Sequence, residues 1–586
     1  MSNQRKFVVA FIILIGLIVS LRIYPALTLP LFGDEGDDLY ILVKDASSLK
    51  HFFSDKYTYA WDQARFPHLI SAIVIGITGI NADNIFNRLG IIRFVFFLLH
   101  IGYLIFSYKL IASVTQNRIA PFIYVLLLTT SCYMASFSTA MMTSGDTAFM
   151  FFHILSIKIF YDNFKHAMEH NGLFQSFLLF SLIIALCIAS KLFGVLLLIS
   201  FFLFHLCNLR NMSTLQIASV HPKEILFRSL LFLLTIGCIN IIPISLLAKS
   251  ILAISVGIIY LGIMIRLIIR ESKKEYEPIK INFVLFWALL SFVSFTFVLV
   301  FSPIYLNLKN LLNVFGWFGT WNIGAVAPDS KYYDALMIII IKFGIIPSML
   351  LLLTSAAGIF FFIKYVLNNP PEFIKSLFML LLIIFLVHLI LICSIQFKLV
   401  WHSLAVFPFL YLPFVGLWIL LQNKKKKLLQ FILIIAILSV SADNLYRYFS
   451  WYPYGHLDGG QYGEKYIGIN KPCFVTFECI PIFFDYIKNE VENDNAHIRQ
   501  INVQGCSARI LNSYLGRMLV KYFDNEGLGN IKFVDEELRE DRSDLVLTSP
   551  IYNPKFEKLL QNYNYKKIKS LSISGVLIGN VWSRGG

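Results

Sequence analysis

Apolar runs about twenty residues long recur along this chain to beyond residue 440, and no other feature constrains its fold as much. A run of that length spans the roughly 30 Å hydrocarbon core of a bilayer as a helix, which satisfies its own backbone hydrogen bonds where water is absent. The runs cover residues 7–29, 90–112, 119–138, 147–161, 174–190, 192–208, 229–248, 250–269, 282–301, 344–366, 375–393, 400–422 and 428–442. They predict an all-α polytopic membrane bundle of about thirteen transmembrane helices. Residues 66–80 are apolar but short, and Gly76 and Gly79 weaken them as a span. They fit a juxtamembrane helix lying along the surface in the first outer loop. With 57% of 586 residues hydrophobic, 15% charged and a mean hydropathy of +0.69, a wholly soluble fold is excluded. The basic opening ending in Arg5 and Lys6 leads into an apolar run with no small-residue cleavage site, so it reads as a retained first helix.

The net charge of +15 does not call for a nucleic acid partner. Much of it falls in short loops between apolar runs, as expected of cytoplasmic loops. Arg5 and Lys6, Arg210 to Arg228, Arg266 to Lys274 and Lys424 to Lys427 are assigned to that side. An odd number of helices then leaves the N-terminus inside and the C-terminus outside. Residues 34–38, 139–146, Lys191, 302–343 and 394–402 all fall on the outer face.

Composition changes abruptly near Asp443, dividing the chain into a membrane domain, 1–444, and a polar C-terminal domain, 445–586. Strand-like segments at 531–534, 545–547 and 575–579 and helix-like runs at 482–491 and 507–522 predict a small soluble α/β domain. Cys132, Cys187, Cys207, Cys238 and Cys393 lie in or beside apolar runs and read as packing residues. Cys473, Cys479 and Cys506 fall in the polar tail without zinc spacing.

Directly after the first run comes Leu31-Phe-Gly-Asp-Glu-Gly-Asp-Asp-Leu-Tyr40, with carboxylates at Asp34, Glu35, Asp37 and Asp38. Carboxylates this close repel one another unless a cation or donors compensate. At the mouth of a membrane helix they suit a general base or a metal ligand, or else a solvated acidic loop. Asp146 is a second outer acid; it can ligate a group, cap the helix that starts at Thr147, or do both. Arg65, in Ala64-Arg-Phe-Pro-His68, can grip a lipid phosphate with two parallel hydrogen bonds or snorkel to the interface. His68 is a candidate ligand or an interface residue. Lys191 either holds an anion or marks a turn. Lys398 and His402 form a second outer basic cluster that suits a departing phosphate or lipid headgroups. Trp317, Trp321, Tyr332 and Tyr333 suit either a sugar or isoprenoid face or an aromatic belt.

In order, these features resemble the GT-C membrane glycosyltransferases, in particular the bacterial branch similar to protein O-mannosyltransferases and the lipid A aminoarabinose transferase. The resemblance rests on the outer Asp34-Glu35 pair after the first helix, Arg65 and Pro67 before a surface helix, and Asp146 after the third helix. Lys191 between helices five and six, the Lys398 to His402 segment before a proline-bearing helix, and an outer C-terminal domain complete it. It implies a GT-C-like bundle with its active site at the outer membrane face of the bacterial inner membrane. The implied donor is a sugar on a polyprenyl phosphate, and the acceptor a lipid, glycan or protein. Asp34 matches the base that takes the proton from the attacking hydroxyl, as inversion at the anomeric carbon requires. Glu35 and Asp146 match the neighbouring acids and are the candidate ligands of a divalent metal ion, which some relatives bind and others do not need. Arg65, Lys191, Lys398 and His402 are the expected donor-phosphate residues. Here the family's double proline is Phe66-Pro67, and Asp37 and Asp38 are extra acids.

Two other readings compete. A secondary transporter or lipid flippase would place charges at mid-membrane, often in two related halves. A polysaccharide polymerase or ligase would use the same lipid-linked sugars.

Overall fold

The computed structural model describes residues 3–28, 66–81, 85–115, 119–131, 145–170, 172–208, 214–217, 222–273, 279–302, 349, 372–394, 405–450, 486–487, 489, 500–504, 532–534, 544–548, 554–573 and 576–584. Helix occupies at least part of every predicted run that falls among them; of the run 344–366 residue 349 alone is described. The helices are α1 (Asn3–Thr28), α2 (Phe66–Thr78), α3 (Ile85–Val114), α4 (Ala120–Thr130), α5 (Asp146–Glu169), α6 (Phe177–Ser190) and α7 (Val195–Cys207). They continue as α8 (Pro222–Ile241), α9 (Leu246–Ser272), α10 (Phe283–Phe301), α11 (Glu372–Ser394), α12 (Phe407–Leu410), α13 (Leu412–Asn423) and α14 (Lys427–Ser450).

Among the described residues, five helices are long and apolar enough to cross a membrane: 88–113, 222–241, 251–272, 283–301 and 427–446. The chain is an integral membrane protein. One buried cluster joins the bundle from Ile18 to Val440, while Leu17, Ile77, Phe227, Val284 and Leu428 point outward and exposed. Apolar side chains on the outside as well as the inside are what a lipid solvent requires. The run read as 229–248 is broken: α8 ends at Ile241 and α9 begins at Leu246. Pro243 lacks the N–H that would continue the helix, and Ser245 restarts it by accepting the Ala248 N–H at 3.3 Å. α2 is only 13 residues, about 20 Å of helix, which is short of a crossing.

A three-stranded sheet at one end of the bundle was not expected. β1 (Leu173–Phe174) runs parallel to β2 (Thr214–Ile217), and β2 runs antiparallel to β3 (Ile279–Asn282). These strands are too short to show a period-two pattern in sequence. They tie together three loops that charge and helix parity had assigned to one side. Nearby, the N-terminus of α6 is capped by side chains from elsewhere in the bundle. Glu271 accepts the N–H groups of Phe177 at 2.7 Å and Leu178 at 3.2 Å, and Asn163 accepts that of Ser176 at 3.0 Å.

Toward the C-terminus lies a five-stranded sheet, built from β4 (Gln500–Gln504), β5 (Lys532–Val534), β6 (Leu545–Thr548), β7 (Tyr565–Ile573) and β8 (Val576–Arg584), with α15 (Pro554–Asn562). Its order is β5-β4-β6-β8-β7, parallel among the first three and antiparallel thereafter. Val546, Leu560, Tyr565 and Trp582 form a core of its own. The expected strands at 531–534, 545–547 and 575–579 coincide with β5, β6 and β8. The expected helix 507–522, most of 482–491, and Cys473, Cys479 and Cys506 lie outside the described residues.

Candidate active site

Three chain segments meet at the end of the bundle opposite the small sheet. α5 starts at Asp146 behind Gly145, whose φ of +100° suits glycine. A Cβ on Gly145 would stand 2.9 Å from the Ser190 carbonyl oxygen and 3.3 Å from the Pro67 ring. The start of α5 therefore lies close against the backbone at the end of α6 and against the Pro67 ring of α2. Lys191 follows in extended conformation, and a short 3-10 turn, Leu192–Gly194, reverses the chain into α7. That turn is closed by the Gly194 N–H on the Lys191 carbonyl at 2.8 Å. Phe66, at the start of α2, packs edge-on against Phe152 at 5.7 Å and Phe301 at 5.4 Å, which brings α10 to the same junction.

At the centre of this junction the Lys191 ammonium donates to Oδ1 of Asp146, and both side chains are buried. The arrangement is favoured twice. Asp146 lies in the first turn of α5 and Lys191 follows the last residue of α6, so each charge also complements the dipole of its own helix. Asp146 is the first helical residue of α5 and Gly145 its N-cap, one position earlier than the sequence suggested, and the Asp146 carboxylate accepts from Lys191. Lys191 both marks a turn and binds a carboxylate of its own chain.

Asp146 and Lys191 are the two expected site residues the structure brings together. Asp34 and Glu35, with Asp37 and Asp38, lie outside the described residues, as do Arg65, Lys398, His402 and the aromatic loop 303–343. Arg65 is the residue immediately before Phe66. His68, one residue into the junction from Pro67, is buried. As a metal ligand Asp146 fits poorly, since an ion at Oδ1 would stand against the Lys191 ammonium. Among the described residues no group of three His, Cys, Asp or Glu side chains is placed to hold a metal ion.

Buried ionisable residues that the sequence reading passed over lie inside the helices. Arg22 on α1 and Arg93 on α3 are fully enclosed, and His100, His153 and His388 sit in the bundle interior. Each interrupts an apolar run, and that interruption is the signal that could have found them. The candidate residues read from the sequence are assigned to the outer face, whereas these lie inside the bundle.

No family model matches the sequence, and no curated protein matches it. Solved structures do resemble the fold. ArnT from Cupriavidus metallidurans, bound to undecaprenyl phosphate, superposes with a TM-score of 0.45 at 12% identity, covering 98% of this chain and 99% of that one. The archaeal oligosaccharyltransferase AglB from Archaeoglobus fulgidus, in complex with an inhibitory peptide and a dolichol-phosphate, gives 0.42 at 13% identity, covering 94% and 70%. At these scores the likeness is loose, and at these identities an activity does not carry over from one chain to the other.

Proposed function

We propose that this protein is a membrane glycosyltransferase that moves a sugar from a polyprenyl-phosphate donor to an extracytoplasmic lipid, glycan or protein acceptor. The observation that carries the reading is the buried Asp146–Lys191 pair at the junction of α2, α5, α6 and α10. A buried ion pair seldom adds stability over apolar packing, so its retention favours a role in chemistry. Phe66 and Pro67 enter the same junction; in sequence Arg65 directly precedes them, and the acids from Asp34 to Asp38 follow α1 by a few residues.

In this reading Asp34 takes the proton from the acceptor hydroxyl as it attacks the anomeric carbon in line. The carbon–oxygen bond to the polyprenyl phosphate breaks with inversion, and the phosphate leaves with the bonding pair. Asp146 and Lys191 shape the cavity beside the reacting sugar, with Lys191 holding the second acid charged and in place. Arg65, Lys398 and His402 steady the leaving phosphate, and Glu35 supports Asp34. Lys223, Arg228, Arg270, Lys273 and Lys280 cluster toward the sheet end of the bundle, which supports a cytoplasmic sheet and an outward site. The division at residue 444 and the thirteen crossings belong to the same reading, with residues 445–586 outside and choosing the acceptor.

The test is transfer from an undecaprenyl-phosphate sugar by purified protein in nanodiscs, without any gradient. Asp34→Asn is expected to insert and fold normally while transfer stops; full transfer by that variant removes Asp34 from the mechanism. Buried Arg22 and Arg93 favour a second reading, a transporter or flippase, because charges inside membrane helices mark pathways. Gradient-dependent lipid movement with no sugar transfer would select it.

A further inference from the structure

The five-stranded sheet ends in an edge strand whose surface is unlike that of its neighbours. β7 is last in the order β5-β4-β6-β8-β7, so β8 alone pairs with it. Tyr565 and Leu571 on this strand are buried, yet all five residues from Lys566 to Ser570 between them are exposed. A strand normally alternates between two faces, so five exposed residues in succession need a cause. The cause is a bulge. Lys567 pairs with Trp582 and Lys569 with Val581, which leaves Ile568 as an extra residue that breaks the alternation. A second register shift follows between Leu571 and Ser572.

The bulged stretch presents Lys566, Lys567 and Lys569 with Ile568, 52% exposed, in their midst. Among the described residues Lys566 and Lys567 make no ion pair, and Lys569 Nζ stands 4.6 Å from the centre of the Tyr486 ring. Charge is uneven across the sheet. Residues 554–586, which supply α15, β7 and β8, carry six basic side chains and one acidic. Residues 535–541, which follow β5 at the opposite edge, carry five acidic side chains and one basic.

These features discriminate between partners. Bulges and lysines are the devices that keep a sheet edge from pairing with another strand, which argues against an added protein strand. Protection of that kind calls for no exposed isoleucine, so it does not account for the whole patch. An acidic glycan would meet the lysines and leave Ile568 in water. An anionic bilayer surface meets both, with ammonium groups among the headgroup phosphates and an apolar side chain at the boundary beneath them. The sheet also follows α14, a candidate membrane span, in the same chain, so it reaches such a surface at high effective concentration.

We infer that the β7 edge from Lys566 to Ser570 docks the C-terminal sheet on anionic phospholipid headgroups. The three lysines supply the attraction and Ile568 the apolar contact, while the acids after β5 oppose the reverse orientation. The inference is independent of the glycosyl-transfer reading.

The test is photolabelling of the full-length protein in nanodiscs of phosphatidylglycerol or of phosphatidylcholine, each lipid carrying a diazirine in its headgroup region. Labelled peptides are identified by mass spectrometry, with label on the membrane helices as the internal reference for insertion and folding. Residues 566–570 should take label from phosphatidylglycerol well above that from phosphatidylcholine. The docked-to-free ratio should fall about fivefold for each of Lys566→Gln, Lys567→Gln and Lys569→Gln. Ile568→Ser should lower it as well. Equal labelling from the two lipids, or labelling unchanged in the glutamine variants, overturns the inference and leaves the lysines as guards of the strand edge. If this stretch takes no lipid label while a soluble acidic polysaccharide protects it from hydrogen exchange, the partner is a glycan and the inference fails.

Discussion

Glu271, in the last turn of α9, accepts the backbone N–H of Phe177 at 2.7 Å and so caps α6 from another helix of the bundle. The capped helix is the one that delivers Lys191 to Asp146 at its other end. A charge at the sheet end of the molecule thus fixes the rigid element on which the candidate site depends.

Removing that cap should loosen α6. Glu271→Ala leaves the N–H groups of Phe177 and Leu178 buried without an acceptor, at a cost of about 1–3 kcal/mol. Glu271→Gln keeps one acceptor oxygen and should cost less. Thermal unfolding in detergent orders the three proteins, and hydrogen exchange at residues 177 and 178 should speed up in the alanine variant. Equal protection in all three would remove Glu271 from the cap.

The Asp146–Lys191 pair should behave as a coupled unit. Asp146→Asn or Lys191→Met alone strands a buried charge and is expected to destabilise by about 3 kcal/mol or more. The double variant should lose less than the sum, because neither charge is left behind. Sugar transfer should fail in all three, separating the pair's chemical role from its structural one. Strictly additive losses would mean that the two side chains do not interact.

Gly145 and Gly76 make a matched comparison. Alanine at 145 must take a φ of +100° and meet the Ser190 carbonyl, so a loss of about 1–3 kcal/mol is expected. Alanine at 76 in α2 meets nothing within 4 Å and should gain about 0.5–1 kcal/mol from helix propensity. Midpoints of thermal unfolding should move in opposite directions. A neutral Gly145→Ala would show that the junction is looser than described.

Tyr260 links three helices. Its hydroxyl lies 2.9 Å from that of Ser229 on α8 and 2.8 Å from that of Thr296 on α10. Hydrogen bonds between membrane helices average only about 0.6 kcal/mol, so Tyr260→Phe should lower stability by about 1 kcal/mol and leave transfer intact. The unfolding midpoint and a transfer assay measured together check both halves.

Much of this architecture could be read from the chain before its structure. Long apolar runs identified the helices, and the strand-like segments near 531, 545 and 575 identified three strands of the second sheet. Asp146 and Lys191 stood out because polar residues at the ends of apolar runs are conspicuous. Their pairing did not, since nothing in a sequence says which helix ends meet. Glu271 was hidden among the basic residues from Arg266 to Lys274, where it reads as one more loop charge. The buried histidines were hidden differently: a single His in a run of Leu, Ile and Phe barely alters its hydropathy, although its burial alters the chemistry of the interior.

The three-stranded sheet bears on how the protein is made. Its strands come from residues 173–174, 214–217 and 279–282, so the last of them leaves the ribosome more than a hundred residues after the first. Until then the lower ends of α5 to α9 lack their clasp. A nascent chain stalled before residue 279 would hold these helices in the bilayer with the three loops still unjoined, and such a chain is the natural substrate for membrane quality control.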